Sequence, residues 1–398
     1  MTPTTRRHFL QFVGSALAAI GLNQVSFLQS AQRYGKVLAQ STPRKLALLV
    51  GINSYVKQPL EGCINDLDLQ QYLLIHRFGF NPKDIYILSD EKATRGGILT
   101  AFEEHLIKQA KPGDVVVYHY SGHGSQILDP HPIVVEPGKS EGLAGTFVPV
   151  DGNLPNDYPN VGGEVTDITG HTLFLLMSAL KTENVTAILD SCFSGGATRD
   201  VKVRSRDGGK KILVSDVERS YQVEWLSRLN LSPEEFIEGY RKGVAKGVVL
   251  AATSPNQLAR EETINSFKCG LFTYLLTHYL WQSDGNIASI FQKILPEIPR
   301  IYRQTPLYEV KVGSGYERGK PYFINRPNSA AEAVVIEIKG DNVKLWLGGV
   351  DLRKVNPGTL FTAVKGIGQV RVLSRDGIVT EAKIEKAVTV GMGLRLMG

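Results

Sequence analysis

The sequence predicts an α/β protein: a mostly parallel sheet flanked by helices, followed by a small all-β domain at the C-terminal end. Three observations carry this. Short apolar runs alternate with longer periodic segments from Lys45 to about Tyr302, as strands joined by crossover helices do. Near Arg326-Pro327-Asn328 the texture changes to short alternating strands punctuated by turn residues. Two of the predicted strands run into glycine-bracketed polar segments, and open parallel sheets place their sites at the carboxyl ends of strands.

Lys45–Gly51 (KLALLVG) reads as a buried strand, because a continuous apolar run suits a strand covered on both faces. Asp66 to about His76 reads as a helix, with Asn65 or Asp66 near its cap. Asp84–Leu88 is the second strand, and Ile98–Gln109 is a helix closed by Lys111-Pro112-Gly113. Asp114–Tyr120 is the third strand, Leu173–Leu180 a helix and Thr186–Asp190 the fourth strand. Val248–Ala252 is the fifth strand, with helices at Leu271–Trp281 and Ile287–Tyr302. Beyond Glu332 the runs AVVIEI, VKLWLGG, TLFTAV, QVRVLS and VTEAKI are separated by turns such as Lys339-Gly340-Asp341-Asn342 and Asp376-Gly377. They predict a hairpin-rich, barrel-like module over residues 330–398.

Composition narrows the function. The 398 residues are 42% hydrophobic and 21% charged, a globular balance long enough for two domains. The net charge of +6 includes Arg6, Arg7, Arg33 and Lys36, in a stretch 1–39 without an acidic residue, so the remainder carries only +2. That near-neutral body gives nucleic-acid binding no electrostatic support. Cys63, Cys192 and Cys269 match neither a zinc site nor a CxxC redox pair.

Residues 1–39 read as an address. Thr5-Arg6-Arg7-His8-Phe9-Leu10-Gln11 is similar to a twin-arginine export motif, the apolar stretch Phe12–Leu22 follows, and Val37-Leu38-Ala39 offers a small residue for cleavage. The apolar stretch is shorter than the roughly 20 residues a membrane span needs. An uncleaved anchor is the competing reading. Export by this route implies a bacterial or plastid-like source, a periplasmic, extracellular or thylakoid-lumen location, and no stable membrane anchor once the signal is removed.

The chemistry concentrates at the third and fourth strand ends. One continues into Tyr120-Ser121-Gly122-His123-Gly124-Ser125, the other into Asp190-Ser191-Cys192-Phe193-Ser194-Gly195-Gly196. If the strands are neighbours, His123 and Cys192 face each other. A thiol needs an adjacent imidazole to take its proton and later pass it to a leaving amine. The N–H groups of Gly124 and Cys192 are candidates for stabilising a tetrahedral oxyanion. His119 falls inside the strand pattern and reads as structural.

YHYSGHGSQ (residues 118–126) and ILDSCFSGG (188–196) resemble the histidine and cysteine motifs of the metacaspases and orthocaspases, caspase-like peptidases of the C14 type. LALLVGINSY, Gly62-Cys63-Ile64-Asn65-Asp66, GVVLAATSPNQ and Gly270-Leu271-Phe272-Thr273-Tyr274 extend the resemblance over residues 44–325. It implies a caspase-like fold and a cysteine endopeptidase with His123 and Cys192 as its pair, acting as a monomer without a cofactor. It further implies a basic substrate residue before the cut (P1), held by Asp66 and Asp190. A helix cap is the alternative for each, and Cys63 either lines that pocket or packs as a core thiol. Two features depart from the family pattern. Phe193 directly follows Cys192, and Val165-Thr166-Asp167-Ile168 keeps one Asp where a calcium-binding doublet is expected. Hard divalent ions want six or more oxygen ligands. The sequence therefore predicts no calcium requirement, with Asp151, Asp157 and Asp167 the ligand candidates should an ion bind.

Arg199, Lys202, Arg204, Arg206, Lys210, Lys211 and Arg219 crowd one segment between the halves of the peptidase domain. It reads either as a solvated loop or as a self-cleavage linker for an enzyme that selects Arg or Lys. Two rival functions remain at this level: a caspase-fold scaffold without turnover, and a legumain-like peptidase or transpeptidase with a different P1 choice.

Overall fold

The computed structural model describes residues 43–129, 142–192, 203–283, 285–316, 319, 322 and 328–397. The twin-arginine segment lies outside the described residues, as do Phe193, Arg199 and Lys202.

The chain opens with β1 (Lys45–Gly51), α1 (Cys63–Tyr72), β2 (Ile85–Ser89) and α2 (Arg95–Ala101). Then come β3 (Val115–Ser121), the antiparallel pair β4 (Gly124–Asp129) and β5 (Gly142–Phe147), β6 (Gly163–Val165), β7 (Ile168–Thr169), α3 (Gly170–Ser178) and β8 (Asn184–Asp190). β9 (Gly209–Val214), α4 (Asp216–Leu229), α5 (Pro233–Arg241), β10 (Val248–Ala251), β11 (Glu261–Ile264) and β12 (Phe267–Gly270) follow. α6 (Leu271–Gln282), α7 (Ile287–Ile294) and β13 (Leu307–Val310) complete this part. The predicted strands are all present. The first helix begins at Cys63 rather than Asp66, with Gly62 at its cap position. α4 and α5 had no sequence prediction. Their starts are nonetheless marked by Ser215 and Ser232, whose hydroxyls accept from the N–H groups of Glu218 and Glu235.

The central sheet has the order β13-β10-β8-β3-β1-β2, parallel except for the edge strand β13. Alternation along β1 sorts side chains to two cores. Leu46, Leu48 and Val50 face one with α2 and α3, whereas Ala47 and Leu49 face the other with α1, α6 and α7. Both faces are buried, which is why β1 reads as an uninterrupted apolar run. A second sheet, β6-β9-β4-β5-β7, stands beyond the carboxyl ends of β3 and β8, because β4 leaves β3 after only Gly122 and His123.

β14 (Ala333–Lys339), β15 (Asn342–Trp346), β16 (Leu360–Ala363), β17 (Gln369–Asp376), β18 (Val379–Lys386) and β19 (Gly393–Leu396) close an antiparallel barrel, in the order β14-β15-β18-β17-β16-β19. Its interior joins the core of α1 and α6. Trp346 stacks on Tyr72 of α1 at 4.3 Å between ring centroids. Lys45–Gly398 therefore forms one compact unit. Among the described residues no helix is long and apolar enough to cross a membrane.

Candidate functional site

β3 and β8 are neighbours in register, Ser121 opposite Asp190, so His123 and Cys192 each stand two residues past the same sheet edge. A Cβ on Gly124 would fall 1.8 Å from the Cys192 carbonyl oxygen, so this crossing of the two strand ends admits only glycine.

His123 is set by two tyrosines. Its N–H donates to Tyr55 Oη (2.9 Å), its carbonyl accepts from Tyr120 Oη (2.8 Å), and its ring lies 4.4 Å from that of Tyr55. Nε2 is 2.7 Å from the Gln58 carbonyl. A carbonyl can only accept, so Nε2 carries the hydrogen, and the lone pair at Nδ1 is left without a hydrogen-bond partner. Burial pushes this imidazole down to about 4, against a smaller upward pull from the Gln58 bond. Cys192 Sγ accepts from the Ala259 N–H (2.9 Å). Burial pushes the thiol up to about 12, with that N–H working in the opposite direction. The two side chains thus share one sheet edge without a hydrogen bond between them: Ala259 holds the sulfur, Gln58 holds the ring, and a segment of the chain itself runs through the site.

That segment is Val203–Arg206. Val203 forms an antiparallel bridge with Arg260, and Arg204 N–H donates to the Ala259 carbonyl (3.0 Å). The Arg204 carbonyl accepts from both Gly124 N–H and Cys192 N–H, each at 3.0 Å. The two N–H groups expected from the sequence to hold an oxyanion thus converge on one peptide carbonyl. Arg206 N–H then donates to the Gly124 carbonyl (2.9 Å).

The Arg204 side chain is fully buried. Nη2 lies 2.6 Å from Asp66 Oδ2 and 3.3 Å from Glu261 Oε1; Nη1 lies 3.1 Å from Asp190 Oδ1 and 2.8 Å from Ser121 Oγ. Burial disfavours the guanidinium charge, but Asp190 and Asp66 outweigh it and hold Arg204 well above its ordinary value. Burial likewise raises the Asp66 carboxyl, opposed by Arg204. The rest of each carboxylate is fixed by the scaffold. Asp66 accepts from Gly270 N–H (2.9 Å) and Ser121 Oγ (2.7 Å); Asp190 accepts from Thr273 N–H (2.9 Å) and Oγ1 (2.6 Å). A Cβ on Gly270 would fall 2.3 Å from Asp190 Oδ2 and 2.5 Å from Arg204 Nη1, so the pocket wall there has to be glycine. Asp66 makes no side-chain cap bond to α1, which overturns the cap reading for it. Cys63 Sγ is 3.9 Å from Glu261 Oε1 and borders the pocket.

Sequence reasoning missed Ser121, Glu261, Tyr55 and Gln58. Ser121 was the most accessible, since it alternates with Tyr120 on a strand whose partner residue is Asp190. Glu261 begins a hairpin strand within Arg260-Glu261-Glu262, and nothing in that run marks it as pocket-facing.

The solvated-loop reading of the basic segment is corrected for Arg204 and Arg206, both of which are buried. Arg206 pairs with Asp167 (2.7 Å). Lys210 and Lys211 belong to β9, and Lys211 Nζ donates to the Pro159 carbonyl (2.8 Å). Arg219 is partly exposed and pairs with Asp216 and Glu164. His119 is structural as expected, with burial holding its imidazole down at about 3. The three carboxylates named for calcium have different surroundings. Both Asp167 oxygens are taken by Arg206, Asp151 Oδ1 accepts from Arg95 N–H, and Asp157 is exposed elsewhere on the loop. Among the described residues no three His, Cys, Asp or Glu side chains converge as a metal site. A cavity of about 560 Å³ opens beside His123 on the side of Arg206 and Asp207.

Residues 45–200 match the family model described as metacaspase, peptidase C14 domain. Metacaspase-1 of Cryptococcus neoformans is 35% identical over 45% of this chain and 38% of its own length. Metacaspase-1 of Kluyveromyces lactis is 26% identical over 67% of this chain and 66% of its own. The chain thus spans less than two thirds of the length of either relative. A crystal structure of protein GSU0716 from Geobacter sulfurreducens resembles it loosely, with a TM-score of 0.48 and 20% identity over 71% of this chain and 99% of that one.

Proposed function

We propose that this chain, whose residues 45–200 match the metacaspase peptidase C14 family model, is a cysteine endopeptidase that cuts after Arg or Lys, and that its own Arg204–Ser205 bond is the first it cuts. One observation carries this reading. The Arg204 carbonyl rests on two converging N–H donors while its guanidinium fills a pocket of three carboxylates. A peptide bond lying across an oxyanion site with its side chain in a complementary pocket is placed as a substrate is.

The steps follow from the placement. Cys192 Sγ forms a bond to the Arg204 carbonyl carbon as its proton passes to His123 Nδ1, the ring atom with a free lone pair. The carbonyl π electrons move onto the oxygen held by Gly124 and Cys192 N–H. Collapse of this tetrahedral species breaks the Arg204–Ser205 bond, and His123 returns the proton to the departing Ser205 nitrogen. Water then hydrolyses the thioester, releasing the Arg204 carboxylate and the thiol. The resting thiol is high and the resting imidazole low, so the proton moves with the attack rather than before it. Lys reaches the same carboxylates as a point charge, without the guanidinium's forked geometry.

N-terminal sequencing of purified protein tests the reading. A new terminus at Ser205 in wild type and its absence in Cys192→Ala are expected, together with Cys192-dependent hydrolysis of Arg and Lys peptides. An uncut wild-type chain that also leaves such peptides intact would overturn it.

For the N-terminal segment, we read residues 1–39 as a twin-arginine signal that takes the folded protein out of the cytoplasm to act as a monomer on protein substrates. Arg6→Lys with Arg7→Lys should retain the precursor inside in cell fractionation. Unchanged export would sink that part alone.

A further inference from the structure

We propose that Asp167 and the Gly152 carbonyl form a second cation-binding subsite, on the leaving-group side of the cut, which reads a basic side chain two residues beyond the scissile bond. The inference rests on Arg204–Ser205 being the bond cut, which makes Arg206 the second residue past it. Arg206 Nη1 and Nη2 lie 2.7 Å from Asp167 Oδ1 and Oδ2, a two-pronged pairing, and Nη1 also donates to the Gly152 carbonyl (2.8 Å). Asp167 is held in turn by Thr146 Oγ1 at 2.6 Å. Carboxylate and carbonyl together satisfy a planar fork in a way an ammonium cannot match.

The subsite is tied to the cut by the backbone. Gly124 offers its N–H to the Arg204 carbonyl and its own carbonyl to Arg206 N–H, so one residue sets both the scissile carbonyl and the start of the leaving segment. With the guanidiniums of residues 204 and 206 both anchored and Ser205 bridged to Gly124, the chain is held on both sides of the Arg204–Ser205 bond. The open cavity next to His123 is lined by Gly152 and Arg206 among others, so the subsite adjoins space a separate peptide can enter. Its ligand class is a peptide of the form Arg-small-Arg, cut after the first Arg.

The test uses full-length chain carrying Arg206→Ala, which vacates the subsite, and two peptides that share an Arg before the cut and differ only in Arg or Ala two residues after it. We expect kcat/KM to favour the Arg peptide about tenfold or more, and the ratio to fall to about one when Asp167→Asn is added. The ratio is insensitive to a general loss of folded enzyme, which lowers both peptides together. Equal cleavage of the two peptides without the Asp167 change overturns the subsite while leaving cleavage after Arg intact. Cleavage of neither peptide by chain whose Ser205 terminus has already formed removes both readings. A second measurement follows the intact chain, where Arg206→Lys should slow appearance of the Ser205 terminus only a few-fold and Arg206→Gln at least tenfold. Equal rates for the two variants would also overturn the proposal.

Discussion

Arg204 and Arg206 lie two residues apart, are both buried, and sit in surroundings of different charge. Arg204 meets three carboxylates, from Asp66 on α1, Asp190 at the end of β8 and Glu261 on β11. Arg206 meets one, Asp167. The second arrangement is a neutral pair, and a buried pair of that kind contributes little net stability beyond fixing geometry. The first stays negative after the arginine has entered. Three buried carboxylates held by Gly270, Ser121, Thr273 and Gly62 N–H or O–H groups form a receptor that is unfavourable when empty. That surplus of negative charge favours the proposed reading of the first as the primary pocket, whereas the proposed Asp167 subsite rests on forked geometry with a single carboxylate.

Arg204→Ala should break the comparison most severely. Cutting at residue 205 should fall by more than about 100-fold, since the pocket has lost its ligand. Stability should drop by about 3–5 kcal/mol, the cost of leaving buried charge unpaired. The loss should be smaller in Arg206→Ala, about 1–3 kcal/mol, because only one carboxylate is orphaned. The pH dependence separates the two further. Burial already raises the Asp66 carboxyl and Arg204 opposes that rise, so the variant raises it more. A carboxyl raised in the folded state binds protons before the unfolded chain does. The Arg204→Ala deficit should therefore be greatest above that raised value and shrink as pH falls from 8 towards 5. Urea melts across this range provide the check, and a deficit that stays constant would contradict it.

Asp66→Asn and Asp190→Asn come next. Each removes one charge while keeping most of the hydrogen bonds. Hydrolysis of Arg peptides should fall about 10- to 100-fold in kcat/KM, with Asp66→Asn the worse because its contact with the guanidinium is shorter. If both variants behave as wild type, the pocket has been assigned to the wrong carboxylates.

His119 sharpens the comparison in a different way. It lies on β3, two residues before Ser121 of the pocket, and burial first and the Arg204 charge second hold its imidazole down at about 3. An unfolded histidine titrates near 6.5. The folded value is the lower one, so the unfolded chain takes up the proton first. Stability is lost as pH falls from about 6.5 towards 3, at about 1.4 kcal/mol per pH unit for this one group. His119→Gln should flatten the slope of stability against pH by close to one proton within that window. An unchanged slope would show that this imidazole is not buried neutral.

The strands and the placement of His123 and Cys192 at one sheet edge are legible in the sequence because they rest on local signals. The uninterrupted run Leu46–Val50 needs two apolar layers, and Gly124 is demanded by the crossing at Cys192. Asp66 and Asp190 were reachable through resemblance and the two-residue offset from Cys192. What stayed hidden is non-local. Glu261 reaches the pocket from a hairpin far along the chain, and Gln58 holds His123 through its backbone carbonyl, which any residue provides. Which arginine of a basic segment enters the site is decided by backbone register against Gly124 and Ala259. Composition carries no record of that register, so the six arginines and lysines from 199 to 211 look alike until the chain is folded.

Glu261→Gln should give the smallest effect and tests the receptor argument most finely. Its Oε1 is 3.3 Å from Arg204 Nη2, longer than the Asp66 and Asp190 contacts, and it is also occupied by Gly62 N–H at 2.8 Å. The amide keeps a carbonyl oxygen for that N–H, so the loop before α1 should stay in place. Only the third negative charge is removed, at a distance where two others remain. Hydrolysis of Arg peptides should fall less than about fivefold, roughly 1 kcal/mol or under. Lys peptides should lose more than Arg peptides, because a compact ammonium responds to total charge and not to forked geometry. A Lys-selective loss would place Glu261 in the pocket as a source of field. An equal loss for both would make it a support for the Gly62 loop, and the receptor would then be the two aspartates alone.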